Sequence, residues 1–127
     1  MAINANAAMK YRNSSIQTAS KAELTLMLYE GAIKFCNIAL QGIEDKDIEK
    51  AHNNIIKAQN IITEFRATLD FKYPVAKDFD LVYDYIYRKL VEANLKKDAD
   101  ALNEALKYTR EMRDTWKEVM RLNREGA

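Results

Sequence analysis

Four segments of the 127-residue chain carry apolar residues at intervals of three and four, which is the spacing of an amphipathic α-helix. They cover about residues 21–42, 47–69, 78–95 (starting at Asp78 or Asp80) and 99 to the C-terminus. The links between them are mostly short, and short links favour antiparallel neighbours. The pattern predicts an all-α fold, an antiparallel up-down-up-down four-helix bundle, over residues 20–127.

The first predicted helix has a marked start. Ser20 is followed three residues later by Glu23, which is the pattern of a capping box, where each side chain binds a backbone N–H that the first turn leaves unpaired. A glycine near the far end, Gly42, is a candidate C-cap. We therefore expect the helix to begin at Lys21 and to end near Gly42.

This helix carries two apolar stripes, which lie on nearly opposite faces because each residue turns the helix by about 100°. The first stripe consists of Leu24, Leu28, Gly31, Phe35 and Ile38. The second consists of Leu26, Tyr29, Ile33, Cys36 and Leu40. A surface helix of a small bundle needs only one apolar stripe, so the other is covered by a further part of the chain or by a partner. We provisionally place the first stripe inward.

The second predicted helix has one continuous apolar seam and an uncharged far side. The seam consists of Ile48, Ala51, Ile55, Ala58, Ile62, Phe65 and Leu69. The far side carries Asn53, Ile56, Asn60 and Thr63. A plain solvated face usually carries Lys and Glu, so this face is either suited to hydrogen bonding with another polypeptide or a neutral surface without a role.

The third predicted helix follows Pro74 and is apolar on more than one side. Its main stripe consists of Phe79, Val82, Tyr83, Ile86, Leu90 and Ala93. Away from that stripe lie Leu81, Tyr85, Val91 and Leu95. Tyrosine is enriched at interfaces because it combines contact area with a hydroxyl, although tyrosines also straddle core edges. The surplus on the first and third helices predicts an exposed groove or apolar patch.

The fourth predicted helix begins after Asp98, a favourable N-cap residue. Its seam consists of Leu102, Ala105, Thr109, Met112, Trp116 and Val119. The seam position of Trp116 predicts that its indole lies in the core.

The N-terminal segment, residues 1–19, is small and polar with scattered apolar residues. It is interpreted as partly flexible or as a short capping helix. One alternative is a frayed tail. The other is a docking segment whose anchors, Tyr11 and Ile16, lie on the spare stripe of the first helix.

Composition narrows the classes of function. The formal charge is +1, from 20 basic and 19 acidic residues, so neither nucleic acid nor an anionic membrane is the expected partner. The single cysteine, Cys36, cannot form an internal disulfide, which suits a reducing cytoplasm. No apolar run approaches the roughly 18 residues of a membrane span, and the N-terminus lacks the pattern of a signal peptide.

No arrangement of residues indicates catalysis. The only histidine, His52, forms a single Glu-x-x-His pair with Glu49, whereas di-iron bundles need that pair twice. Phosphotransfer bundles usually carry a lysine three residues after the histidine, where this chain has Ile55. Cys36 has no neighbouring base, and there is no glycine-rich phosphate loop. We expect no enzyme activity, no metal and no cofactor.

Several segments together resemble the flagellin-specific secretion chaperones, the FliS family. They are, in order, KYRNSSIQTAS (10–20), ELTLMLYEGAIKF (23–35), KAQNII (57–62), LVYDYIYRKLVEAN (81–94) and RDTWKE (113–118). The resemblance spans nearly the whole chain, and helix packing alone does not demand these combinations of residues.

The resemblance implies a cytoplasmic chaperone that binds the disordered C-terminal segment of flagellin. It further implies that the chaperone blocks premature polymerisation and delivers flagellin to the export gate protein FlhA. In that family the N-terminal segment is thought to cover part of the binding surface when flagellin is absent. The alternative is a general helical adaptor or a small homo-oligomer that uses the same surplus surface.

The candidate partner-binding residues combine the spare surface of each helix with the N-terminal anchors. They are Tyr11, Ile16, Leu26, Tyr29, Ile33, Asn53, Ile56, Asn60, Leu81 and Tyr85.

Overall fold

The computed structural model describes residues 20–125, which contain four helices and no strand. These are α1 (Lys21–Glu44), α2 (Ile48–Ala67), α3 (Val75–Lys96) and α4 (Ala99–Glu125). Each helix packs against two others, in the pairs α1–α2, α2–α3, α3–α4 and α1–α4. The predicted all-α four-helix bundle is confirmed.

Short polar side chains cap the N-termini of three of the helices. The Ser20 hydroxyl accepts a hydrogen bond from the Glu23 backbone N–H at 3.1 Å, and the Asp47 carboxylate accepts one from the Lys50 N–H at 3.1 Å. The Asp98 carboxylate accepts one from the Asp100 N–H at 2.9 Å. These bonds satisfy backbone donors that the first turn leaves unpaired, and they confirm the predicted starts of α1 and α4.

Helix α3 begins at Val75, so the predicted start at Asp78 or Asp80 is wrong. Pro74 already has helical dihedral angles, with φ −57° and ψ −34°. The proline ring holds φ near the helical value, and its missing N–H is not needed at the start of a helix. The proline therefore initiates α3, and the link from α2 is shorter than expected.

The predicted C-cap role of Gly42 is also wrong, because α1 continues to Glu44 and Asp45 is the C-cap residue. No glycine within residues 20–125 has a positive φ. Gly42 is buried where the end of α1 approaches the start of α2, and its carbonyl accepts a hydrogen bond from the Asp47 N–H at 2.8 Å. A Cβ at this position would lie 2.8 Å from the backbone nitrogen of Ala51. The glycine is needed for this close approach of two backbones.

The stripe of α1 that faces the core is the one assigned to a partner, so the provisional inward placement of Leu24 and Leu28 is wrong. It is partly right for Phe35 and Ile38, which are half-buried, and Phe35 packs against the core. The buried side chains are Tyr29, Ala32, Ile33, Cys36 and Ala39. Leu24 and Leu28 are each 37% exposed. Ala32 and Ala39 share the face of the second stripe, and small side chains there let α1 approach the other helices closely.

The seams of the other helices follow the predicted pattern, with exceptions at their ends. The side chains from Ala51 to Phe65 of the α2 seam are buried, but Ile48 is 66% exposed because it is the first residue of the helix. In α4 the seam is buried from Leu102 to Met112, whereas Trp116 is half-buried. The prediction for Trp116 is therefore only partly confirmed, since its indole lies at the open end of the bundle and donates to the Ala22 carbonyl at 3.0 Å.

An aromatic cluster joins α1, α2 and α3. The Phe65 ring lies between those of Tyr29 and Tyr83, with centroid distances of 4.3 and 5.5 Å. The hydroxyls of Tyr29 and Tyr83 hydrogen-bond to each other at 2.5 Å. Burial is the main cause that raises the pKa of both tyrosines, so both hydroxyls stay neutral. Each hydroxyl is the hydrogen-bond partner of the other.

We expect each single substitution, Tyr29→Phe or Tyr83→Phe, to lower the free energy of unfolding by about 1–2 kcal/mol, since each leaves one buried hydroxyl without its partner. The double variant removes both hydroxyls and should lose less than the sum of the two. Urea denaturation of the four proteins measures this coupling. Strictly additive losses would show that the two hydroxyls do not stabilise each other.

Candidate partner-binding surfaces

An apolar strip lies between α1 and α2. We call it the α1–α2 strip, and it consists of Leu24, Leu28, Gly31, Phe35 and Ile61. A Cβ on Gly31 would lie 3.5 Å from the Cδ1 of Ile61, so this side of α1 borders α2. Leu24 and Leu28 remain more than a third exposed. An apolar surface of this kind is a candidate interaction site.

A pocket of about 290 Å³ opens at the end of the bundle where α1 and α3 begin. Its walls include Tyr29, Phe65, Phe79, Tyr83 and Trp116. Ligand pockets range from roughly 300 to 1,000 Å³, so this volume suits a bulky apolar side chain better than a large cofactor. Tyr73 and Val75, at the rim, are 57% and 49% exposed and extend the apolar surface outward.

A third apolar area lies on the outer face of α3 and α4. Leu81 is 69% exposed and lines a pocket of about 370 Å³ with Val82, Tyr85 and Tyr108. The two tyrosine rings meet edge to face, with centroids 5.2 Å apart. The Tyr85 hydroxyl donates to the Glu104 carboxylate at 3.0 Å, and this bond raises the pKa of Tyr85. The structure thus confirms that α3 is apolar on a second side.

The predicted polar face of α2 is exposed and borders α3. Asn53, Asn60 and Thr63 are exposed, and Ile56 is half-buried. Thr63 lines a shallow pocket with Phe71 of the α2–α3 link, beside the ion pair of Arg66 and Asp80 at 2.9 Å. This face lies on a different side of α3 from Leu81 and Tyr85, so these candidates do not form one continuous patch.

Of the remaining candidates, two lie in the core, one lies beside α4 and two lie outside residues 20–125. Tyr29 and Ile33 are 4% and 6% exposed, so their side chains belong to the core and present almost no surface. Leu26 is half-buried on the side of α1 that faces α4. Tyr11 and Ile16 lie outside the described residues.

The α1–α2 strip and the end pocket were not among the predicted candidates. The sequence signal for the strip is indirect and comes from Ala32 and Ala39. They lie on the same side of α1 as Tyr29 and Cys36, and small residues there indicate the face that packs against the other helices. Recognising that face assigns Leu24 and Leu28 to the outside. Nothing in the pattern indicates the pocket, since its walls come from all four helices.

His52 and Cys36, the two side chains considered for catalysis, are held in structural contacts. The Asn94 side-chain amide donates to Nδ1 of His52 at 2.9 Å. Burial raises the pKa of the Cys36 thiol to about 12, which leaves almost no thiolate, the reactive form, near neutral pH.

Within residues 20–125, no group of three or more His, Cys, Asp or Glu side chains is arranged to hold a metal ion. None of the helices described is both long and apolar enough to cross a membrane.

Comparison with known proteins identifies the family. The family model of flagellar protein FliS matches residues 4–123. The chain belongs to the FliS family. A FliS relative from Bacillus subtilis (strain 168), named flagellar secretion chaperone, is 44% identical over 115 residues, which are 91% of this chain and 86% of the relative.

Two further relatives carry the same name, flagellar secretion chaperone FliS. The Escherichia coli (strain K12) protein is 31% identical over 110 residues, 84% of this chain and 81% of its own length. The Campylobacter jejuni protein is 31% identical over 111 residues, 86% of this chain and 87% of its own. Membership of the FliS family supports a role as a flagellar export chaperone, and chaperone is a non-enzymatic role. The family resemblance inferred from the sequence is confirmed.

Proposed function

We propose that this protein is a cytosolic export chaperone that binds the disordered C-terminal segment of flagellin. By covering that segment it prevents premature polymerisation, and it delivers the bound flagellin to the flagellar export gate protein FlhA. The proposal rests on FliS family membership. The observation that carries it is the exposed apolar surface on several sides of the bundle.

The shape of this surface suits a long partner. The α1–α2 strip, the end pocket and the outer α3–α4 face are separate areas on different helices. A compact ligand would fill one of them, whereas an extended chain can contact several in turn. We assign the α1–α2 strip to flagellin, together with Asn53, Ile56 and Asn60 of α2 and Leu81 and Tyr85 of α3.

The energetics of ordering a disordered segment also require an extended surface. Ordering 20 residues costs about 20–40 kcal/mol in backbone entropy. Burial of apolar surface contributes about 25 cal/mol per Å², so an offset of about 30 kcal/mol needs roughly 1,200 Å² of it. Coupled folding and binding commonly buries about 1,000–3,000 Å². The end pocket alone, with a volume of about 290 Å³, is too small, and the segment must use the helix faces as well.

The N-terminal segment has two roles in this proposal. Tyr11 and Ile16 compete with flagellin for the apolar surface, and Tyr11 also contacts FlhA. The cytoplasmic domain of FlhA, titrated into the flagellin complex of a Tyr11→Ala variant, tests the second role. Unchanged binding to FlhA would remove that role from Tyr11.

Titration calorimetry against the same organism's flagellin tests the main proposal. Intact flagellin should bind with a large negative heat-capacity change, because a long apolar segment is buried. Flagellin without its C-terminal segment should not bind. Absence of binding to both forms would contradict the proposal. A dimer in sedimentation without flagellin would then favour the homo-oligomer, and a monomer would favour the helical adaptor.

A further inference from the structure

Helix α4 carries a row of basic residues that neither the core nor the proposed flagellin surface uses. We call it the α4 basic row, and it consists of Arg110, Arg113, Lys117, Arg121 and Arg124. Successive members are three or four residues apart, so they lie on one side of the helix. At 1.5 Å per residue, the row extends about 21 Å along α4. The formal charge of the whole chain is only +1, so the row is a local concentration of positive charge.

The middle of the row is partly neutralised by nearby carboxylates. Glu30 of α1 lies 3.7 Å from the Arg113 guanidinium and 3.9 Å from the Lys117 ammonium. Asp114 lies 2.9 Å from Arg113. Glu118 accepts a hydrogen bond from Arg121 at 3.0 Å.

The two ends of the row differ from its middle. Arg110 and Arg124 are exposed. In the described part of the chain, neither forms an ion pair within 4.0 Å. Two cations about 21 Å apart on one helix side are therefore available to carboxylates of a partner.

A pocket lies between α1 and the C-terminal half of the row. Leu26 of α1 and Met120 of α4 contribute its apolar side chains, and the pocket has a volume of about 420 Å³. Its other lining residues are all charged, namely Asp114, Lys117, Glu118, Arg121 and Arg124. Methionine adapts its shape to different partners, so this pocket suits one large apolar side chain held among charged groups of both signs.

We propose that the α4 basic row and the pocket of Leu26 and Met120 bind an acidic amphipathic helix of a partner protein. Carboxylates of that helix pair with Arg110 and Arg124, and one apolar side chain enters the pocket. A helix that presents carboxylates about four turns apart matches the distance between these two cations. An amphipathic helix laid along a groove between two helices is a common mode of peptide recognition.

The composition of the row favours a protein over a phosphate polymer or a membrane. Glu30, Asp114 and Glu118 lie among the cations and repel a continuous line of phosphates. A peptide helix can place its carboxylates at the ends of the row and leave the middle neutral. The apolar part of the site is a recess between two helices, whereas membrane-surface helices present a projecting apolar face.

The first test uses a fluorescein-labelled synthetic peptide of about five turns. It carries one Glu near each end of the contact face, about four turns apart, and one Leu between them, and a matched peptide carries Lys in place of Glu. Fluorescence anisotropy should show binding of the Glu peptide only. Raising the ionic strength from about 0.1 M to about 1 M, which shortens the screening length from about 10 Å to about 3 Å, should weaken it. Binding of both peptides alike would overturn the proposal.

The second test replaces the two cations at the ends of the row. The variant Arg110→Glu/Arg124→Glu should bind the Glu peptide about tenfold more weakly, because two attractive pairs become repulsive. The control Lys77→Glu/Lys96→Glu makes the same change in charge at exposed positions of α3 and should bind as the parent protein does. Equal losses in the two variants would show only a dependence on net charge and would overturn the proposal.

Two further probes distinguish the partner class. Vesicles that contain phosphatidylserine and a short RNA duplex are titrated under the same conditions. Binding of either that is tighter than that of the Glu peptide, and lost in Arg110→Glu/Arg124→Glu, would replace the acidic helix with a membrane or a nucleic acid. Weaker binding of both supports the protein partner.

Discussion

Gly42→Ala is expected to lower the free energy of unfolding by about 2 kcal/mol. The new Cβ would lie 2.8 Å from the backbone nitrogen and 3.1 Å from the Cα of Ala51. Both are backbone atoms, so the contact is relieved only if α1 and α2 move apart along their interface. This penalty exceeds the gain of about 1 kcal/mol that alanine has over glycine inside a helix. Urea denaturation followed by circular dichroism measures the loss.

Gly31→Ala is the matched control, because the same substitution in the same helix meets no backbone. Its Cβ would lie 3.5 Å from the Cδ1 of Ile61, which is an ordinary contact with the end of a flexible side chain. We expect Gly31→Ala to raise the free energy of unfolding by about 0.5–1 kcal/mol. Similar changes in the two variants would contradict the assigned role of Gly42.

Leu28→Asp is expected to weaken flagellin binding by about 30-fold. Leu28 is part of the α1–α2 strip and is 37% exposed. A charge there opposes burial by an apolar segment. Loss of one of the few hot-spot residues of an interface costs about 2 kcal/mol or more, which is about 30-fold in affinity. Calorimetry with intact flagellin measures this change, and circular dichroism checks that the variant is folded.

Leu95→Asp provides the control for this effect. Leu95 is 82% exposed and lies at the far end of α3 from the end pocket, so its replacement introduces the same charge away from the α1–α2 strip. Flagellin binding should stay within about twofold of the parent protein, since substitutions outside the interface centre have small effects. If Leu95→Asp weakened binding and Leu28→Asp did not, flagellin would occupy a different surface from the one proposed.

The helix starts at Ser20 and Asp98 were predictable because their cause is local. Each cap side chain bonds a backbone N–H two or three positions away, so the two partners are neighbours in the sequence. The buried seam from Ala51 to Phe65 was predictable for a similar reason. A helix with one apolar stripe has only one face that can be buried.

Helix α1 shows where this reasoning fails. Both of its stripes are complete, so its periodicity is compatible with either orientation. The choice between Leu28 and Tyr29 as the core residue depends on what they meet, and Tyr29 meets Phe65 of α2 and Tyr83 of α3. Those contacts join residues more than thirty positions apart in sequence, which a pattern within one helix does not record.

The sequence by itself determined the number and order of the helices, the starts of α1 and α4, the family and the surplus of apolar surface. It did so because helix formation depends on residues within one or two turns, and because family motifs are read directly from residue order. Only the tertiary structure decided which side of α1 is buried, why Gly42 is a glycine, where the end pocket lies and which cations of the α4 basic row pair with carboxylates. Each of these depends on distances between helices, and those distances are set by how the side chains of all four helices pack together.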